Sequence, residues 1–222
     1  MVLSFATQRP LTNGESTMRK FSALLTIVFL WILAAPAGHA RAAEAGLSAV
    51  NVSGNVMLKR TGEDSALKEG DALQPGDQIT TDGDSRLDVV KAGDWGFRLL
   101  QSGDCRIAAA AEESQVELDQ GNIIFNVKPR QGQNLSVKTP VVTAAVRGTQ
   151  FWGQVTPSGE KHNAIFAVRE GTVEVKVNES GEKFLLEAGQ AVEIKGETGA
   201  AVPRAAQQAE LDAISQAESI TL

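Results

Sequence analysis

Few residues in this chain could do chemistry. Cys105 is the single cysteine, and the two histidines are His39 and His162. His162 follows "TPSGE", a turn-like stretch, and reads as an exposed loop residue. One histidine and one distant cysteine cannot build an ordinary Cys/His zinc site. A Ser-His-Asp triad would have to use His162, and no G-x-S-x-G elbow accompanies it. Asp82, Asp84 and Asp88 in "TTDGDSRLD" resemble a calcium loop only loosely. The twelve-residue ligand ladder with its terminal glutamate is missing, so solvated turn carboxylates are the favoured reading. No phosphate loop or dinucleotide fingerprint occurs. These observations point away from an enzyme and call for no metal and no cofactor.

The stretch "AAVRGTQFWG", residues 144–153, is the other concentration of distinctive residues. Gly148 supplies unusual backbone geometry between two strand-like runs. Arg147 carries a planar five-donor fork that could bond carbonyls or a carboxylate across a corner. Thr149 could satisfy a nearby backbone group. The stretch reads as a structural corner, with a ligand-facing arginine as the alternative. Phe151 and Trp152 are adjacent and should face opposite ways. Trp152 and Trp95 are the candidate partner contacts, since an exposed tryptophan anchors proteins or sugars well. Packing of Trp152 against the tail or a second layer is the competing reading. Cys105 alternates with Ile107 in "GDCRIAA", as a buried thiol would; a reactive or pairing thiol is the alternative.

Strands must position these residues. In "GTVEVKVNE", Val173, Val175 and Val177 point one way and Glu174 and Lys176 the other. "GNIIFNVKP" and "GNVMLKRTG" repeat the shape, each led by a glycine that allows a turn or bulge before the strand. Further short strands are expected at 86–90, 95–100, 115–118, 135–139, 149–155, 163–168, 183–187 and 191–194. Gly76-Asp77 and Gly189-Gln190 are turn pairs. The expected class is all-β, a jelly-roll-like sandwich or short β-roll, with a short C-terminal helix. That helix is expected in "PRAAQQAELDAISQAESI", where Leu211 and Ile214 are three apart.

Residues 1–43 hold a polar extension and a secretory signal peptide. Arg19 and Lys20 precede an uncharged apolar run, Phe21 to Ala35, followed by small residues at 38–42. Met18 is the expected start, and the run is shorter than the ~20 residues a comfortable membrane span needs. Three parts follow: 1–43, a β domain over 44–200, and a helical tail over 201–222. Loss of residues 1–43 removes four basic residues and one acidic one from the 21 and 27 of the whole chain, leaving a net charge of −9. Such a chain should avoid nucleic acid and anionic lipid. One cysteine in an exported chain leaves packing, not disulfides, to hold the fold.

The run "VKTPVVTAAVRGTQFWGQV", residues 137–155, resembles the signature of the FecR-like domain. Thr139, Pro140, Val146, Arg147, Gly148, Thr149, Phe151 and Val155 carry the match. The blocks 73–89, 116–127, 168–177 and 185–194 are similar as well. The resemblance implies a jelly-roll-like extracytoplasmic domain, periplasmic or secreted. Well-known members add a cytoplasmic helical segment that controls a sigma factor, and a membrane span. Only residues 1–18 precede the apolar run here, so a free-standing exported version is expected. Two functions follow: a module that contacts an envelope protein, or a carbohydrate- or cell-wall-binding module.

Overall fold

The computed structural model describes residues 46–110, 113–129, 134–196 and 198–222. The expected signal peptide lies outside these residues. Within them fifteen strands form one mixed sheet that does not close into a barrel. In chain order they are β1 Leu47–Ser53, β2 Val56–Arg60, β3 Glu63–Ala66, β4 Ala72–Leu73, β5 Gln78–Thr81, β6 Arg86–Lys91, β7 Trp95–Leu99 and β8 Asp104–Ala110. There follow β9 Glu113–Val127, β10 Asn134–Lys138, β11 Val142–Ser158, β12 Lys161–Val177, β13 Lys183–Glu187, β14 Gln190–Lys195 and β15 Ala200–Ala205. Helix α1, Gln208–Ser215, and a 3-10 turn, Gln216–Ser219, end the chain. The pairing β9–β10 is parallel, and the other pairings are antiparallel.

Three strands are much longer than the sequence suggests: β9 has 15 residues, and β11 and β12 have 17 each. Of the three glycines expected to lead strands, Gly54 does so, just before β2, whereas Gly121 and Gly171 lie inside β9 and β12. With Gly148 in β11, these two take positive φ within a continuing strand. Each long strand therefore serves two parts of the sheet. The first part of β9 pairs with β8 and β10, and the second with β7 and β11. The sheet folds over onto itself and its inner faces share one core. Val173, Val175 and Val177 enter that core as the alternation requires.

An aromatic row runs through the core. Phe97 pairs with Phe125, and Phe125 with Phe151, across β7, β9 and β11. The Phe125 and Phe151 rings stack at 4.8 Å, and Phe166 continues the row 6.5 Å from Phe151. All four are fully buried. Such stacked pairs add about 1 kcal/mol each beyond their burial.

Cys105 sits in the same core, opposite Ile79 and Leu118. It is fully buried. Burial, reinforced by Asp104 and Asp119, raises its pKa, so the thiolate is suppressed. Native protein is therefore expected to react slowly with a thiol reagent and quickly once denatured. Fast native labelling would contradict this placement. Cys105→Ala should cost about 1–2 kcal/mol in a denaturant melt, through lost packing.

Candidate functional site

Most of the candidate residues lie along β11 and in the turn before it, with Trp95 on β7. At the turn from β10 to β11, Thr139 is buried and holds the backbone with its hydroxyl. Oγ1 accepts from the Val142 N–H at 3.0 Å, and the Thr139 N–H donates to the Val142 carbonyl at 2.8 Å. Asn178 Nδ2 donates to the Thr139 carbonyl at 2.9 Å, which ties this turn to the end of β12. Pro140 lies on the exposed tip, where a missing donor does no harm.

The corner at 147–149 is a two-against-one bulge. Arg147 pairs with Thr172 and Gln150 with Glu170, so Gly148 and Thr149 together oppose Gly171. Gly148 has φ +60° and Gly171 φ +80°. A Cβ on Gly171 would stand 2.3 Å from the Gly148 carbonyl oxygen, and one on Gly148 would stand 2.8 Å from Pro129 Cα. The two glycines thus make the corner together. Thr149 is buried, but its hydroxyl finds no protein partner among the described residues. Its methyl packs toward Gly171 instead. Arg147 is exposed, beside a shallow hollow bordered by Glu113, Ser136 and Ala145. Arg147→Ala is therefore expected to change stability by no more than about 1 kcal/mol in a denaturant melt. A larger loss would mean that its fork braces buried groups.

Both candidate contact tryptophans are buried. Trp95 is 3% exposed and its ring lies 6.3 Å from Phe97. Trp152 is 8% exposed and faces away from Phe151, as their adjacency requires. It belongs to a second apolar cluster with Ile124, Ala167 and Ala191, covered by Ile214 and Ala217 of the tail. The tail is therefore packed, and it differs from the expected single helix. Pro203 lies in strand β15, and the helix begins only at Gln208. Neither indole is a free contact surface in this arrangement.

Polar contacts hold both ends of the tail. Arg204 makes a two-pronged contact with Glu210, one bond being Nη1 to Oε2 at 2.9 Å. Glu210 also accepts the Gln207 N–H at 2.7 Å, which caps the helix. At the far end, Arg98 reaches Asp88 through two bonds of 2.7 Å, and both residues are buried. Asn126 Nδ2 donates to the Ala217 and Ile220 carbonyls at 3.2 and 3.3 Å. Gly96 leaves room for Ile220 and Leu222, whose side chains would stand 2.9 Å from a Cβ there. Asp88 is thus part of this clamp rather than of a calcium loop.

The other candidate acids and His162 are scattered. Asp82 accepts from Asn55 Nδ2 at 2.6 Å, while Asp84 is exposed. His162 is the second residue of β12, half-buried and paired with Pro157, rather than a loop residue. It borders a hollow with Pro140, Lys161, Glu179 and Ile194. Among the described residues, no group of three or more His, Cys, Asp or Glu side chains is placed to hold a metal ion. None of the described helices is long and apolar enough to cross a membrane.

Asp77, in the turn pair Gly76-Asp77, is almost fully buried. Burial pushes its carboxyl upward, but the Arg60 fork at 2.7 Å and the Gln74 N–H at 2.7 Å outweigh it, and its pKa falls below the usual carboxylate value. The Arg204 contact first, and the Gln207 N–H after it, likewise lower Glu210 against the opposing effect of burial. Both folded values are depressed, so both groups stabilise the fold above the unfolded pKa of about 4 and lose that contribution as pH falls through the folded values. Thermal melts should show a decline in Tm beginning near pH 4, with a shallower slope in Asp77→Asn. An unchanged slope would contradict the assignment.

Open strand edges remain. Among the described residues β13 pairs with β12 alone, and Leu185 on it is 63% exposed. A groove of about 560 Å³ runs between β13 and the end of β15. The sequence offered one sign of this edge: "KFLLE" has apolar residues on both faces of a strand, where a half-buried strand needs only one.

Residues 72–174 match the family model described as FecR protein. That region runs from β4 into β12 and includes the Gly148–Gly171 corner, so the chain contains a FecR region. Two crystal structures of a candidate anti-sigma factor from Parabacteroides distasonis, at 1.65 and 2.50 Å resolution, are similar to the chain. Each has a TM-score of 0.52 and 21% identity, and the match covers 63% of this chain and 64% of that one. The likeness shows a shared fold. The chain thus spans somewhat less than two thirds of that protein. No curated protein matches the chain.

Proposed function

We propose that the chain is an extracytoplasmic, non-enzymatic binding module of FecR type that contacts a protein partner. The open β13 edge carries this reading. Leu185 stands out from a strand whose backbone has one neighbour among the described residues, which is the surface an added strand recognises. The FecR region and the anti-sigma-factor likeness support a protein partner, and the acidic balance disfavours nucleic acid. Export rests on the basic pair and uncharged run at 19–35, with cleavage expected near Ala40 or Ala42. A binding platform for glycans would want exposed rings. Trp95 and Trp152 are buried, which favours protein over sugar.

Affinity capture from envelope extract tests the reading, with the chain carrying Leu185→Lys as control and a panel of glycans and cell-wall fragments beside it. The expected result is a protein held by the native chain and lost by the variant, with unchanged thermal melts. Glycan binding without a protein would overturn it. N-terminal sequencing of the envelope form should find a start between Arg41 and Glu44.

A further inference from the structure

The β13 edge is self-complementary, and we propose that its partner is a second copy of this chain. This rests on the protein-binding reading above and names the partner at that site. Consider two β13 strands laid antiparallel about a twofold axis through Leu185. Lys183 of one copy then faces Glu187 of the other at both ends, Leu185 faces Leu185, and Phe184 faces Leu186. An isologous contact must be complementary to itself, and this five-residue strand meets that demand in charge and in shape.

The backbone agrees. The Val177 N–H donates to the Glu182 carbonyl, so that pair is a hydrogen-bonded one. Alternation along an antiparallel ladder makes 175/184 and 173/186 hydrogen-bonded pairs too. Lys183, Leu185 and Glu187 therefore turn their N–H and C=O groups to the open edge. The Glu187 N–H bonds the Gln190 side chain at 2.9 Å, as an outward-pointing donor would. Those outward groups fit the twofold register. Leu185 exchanges two bonds with its counterpart, and each Lys183 N–H reaches the other copy's Glu187 carbonyl. That makes four bonds with the Gln190 contact left in place.

The side chains suit this geometry. Lys183, Leu185 and Glu187 share the solvent face of the strand, and all three are exposed. Lys183 already touches Glu174 at 2.9 Å, and would stand between that carboxylate and the facing Glu187. The other open edges lack these properties. β15 carries Pro203, which removes a ladder donor. β3 is Glu63–Ala66, and twofold pairing about its centre sets Glu63 opposite Ala66 and Asp64 opposite Ser65, so neither acid meets an opposite charge. β4 has two residues, too few for such a ladder. A five-residue strand buries less than the roughly 1,600 Å² of a standard stable interface. The dimer is therefore weak and dissociates on dilution.

Sedimentation equilibrium of the exported chain over a range of concentrations tests this. The expected result is a monomer–dimer equilibrium. Lys183→Glu and Glu187→Lys should each weaken it about tenfold or more, because each reversal places like charges at both ends of the contact. The double reversal should bring association back most of the way. Thermal melts of each variant exclude unfolding as the cause, since both side chains are exposed. A chain that stays monomeric at all concentrations overturns the proposal. So does a dimer indifferent to both reversals. If the chain is monomeric and Leu185→Lys still loses a captured envelope protein, self-pairing falls and the protein-binding reading stands.

Discussion

Gly171→Ala is expected to lower stability by about 3 kcal/mol. The residue sits at φ +80°, where a non-glycine residue costs about 1–2 kcal/mol. Its Cβ would also lie 2.3 Å from the Gly148 carbonyl oxygen, which forces the two strands apart. Overpacking of that kind adds about 1–3 kcal/mol. Gly148→Ala should behave similarly at about 2 kcal/mol, with Pro129 as the obstacle. Gly62→Ala provides the comparison. Its φ is +86°, but a Cβ there meets nothing within 4 Å, so the loss should stay near 1 kcal/mol. Denaturant melts of the three variants separate backbone strain from collision. Equal losses at Gly62 and Gly171 would mean that the close approach across the bulge has no energetic weight.

Arg98→Ala should cost about 3–5 kcal/mol, because it removes the charge partner of the buried Asp88 carboxylate and leaves it the 3.3 Å Asn51 contact. The same substitution removes one of the groups near the 3-10 turn, where Arg98 Nη1 approaches the Gln216 carbonyl at 3.5 Å. The tail should loosen over Trp152, and indole emission should shift to the red before global unfolding. Replacing both partners, Asp88→Leu with Arg98→Met, should recover most of the loss, since an apolar pair leaves no buried charge. A single variant as stable as the native chain would show that water reaches Asp88 and the pair is not sealed.

The sequence made some of this fold legible and concealed the rest, for physical reasons. Alternation in "GTVEVKVNE" marks a half-buried strand, and adjacency alone sends Phe151 and Trp152 to opposite faces. Both placements hold. The long strands were harder to see. Gly121, Gly148 and Gly171 look like turns in a one-dimensional pattern, yet each bends a strand without ending it. Only pairing to two sets of neighbours distinguishes a bend from a turn. Gly171 was legible as a glycine but not as the partner of Gly148, because the bulge register sets them opposite one another. Its sign is the echo of "RGT" at 147–149 by "EGT" at 170–172.

The clamps were hidden for another reason. Asp88 and Arg98 are ten residues apart, and only the β6–β7 register makes them direct neighbours. Asp88 therefore read as one more turn carboxylate. Exposure of tryptophan cannot be inferred from local pattern when a distant segment covers it. Trp152 does lie on the outer face of the sheet, but the tail lies over it. β15 is hidden in the sequence because Pro203 and its alanine neighbours resemble a helix entry more than an edge strand.

Amide hydrogen exchange along residues 183–187 addresses the binding surface most directly. In dilute protein the Leu185 amide should exchange quickly, as an outward-pointing donor on an open edge. On association, with a second copy at high concentration or with a captured envelope protein, the same amide should become protected while the hollow beside His162 stays unchanged. Continued fast exchange at Leu185 in the complex, with protection appearing at the His162 hollow or at the tail over Trp152, would contradict binding through β13.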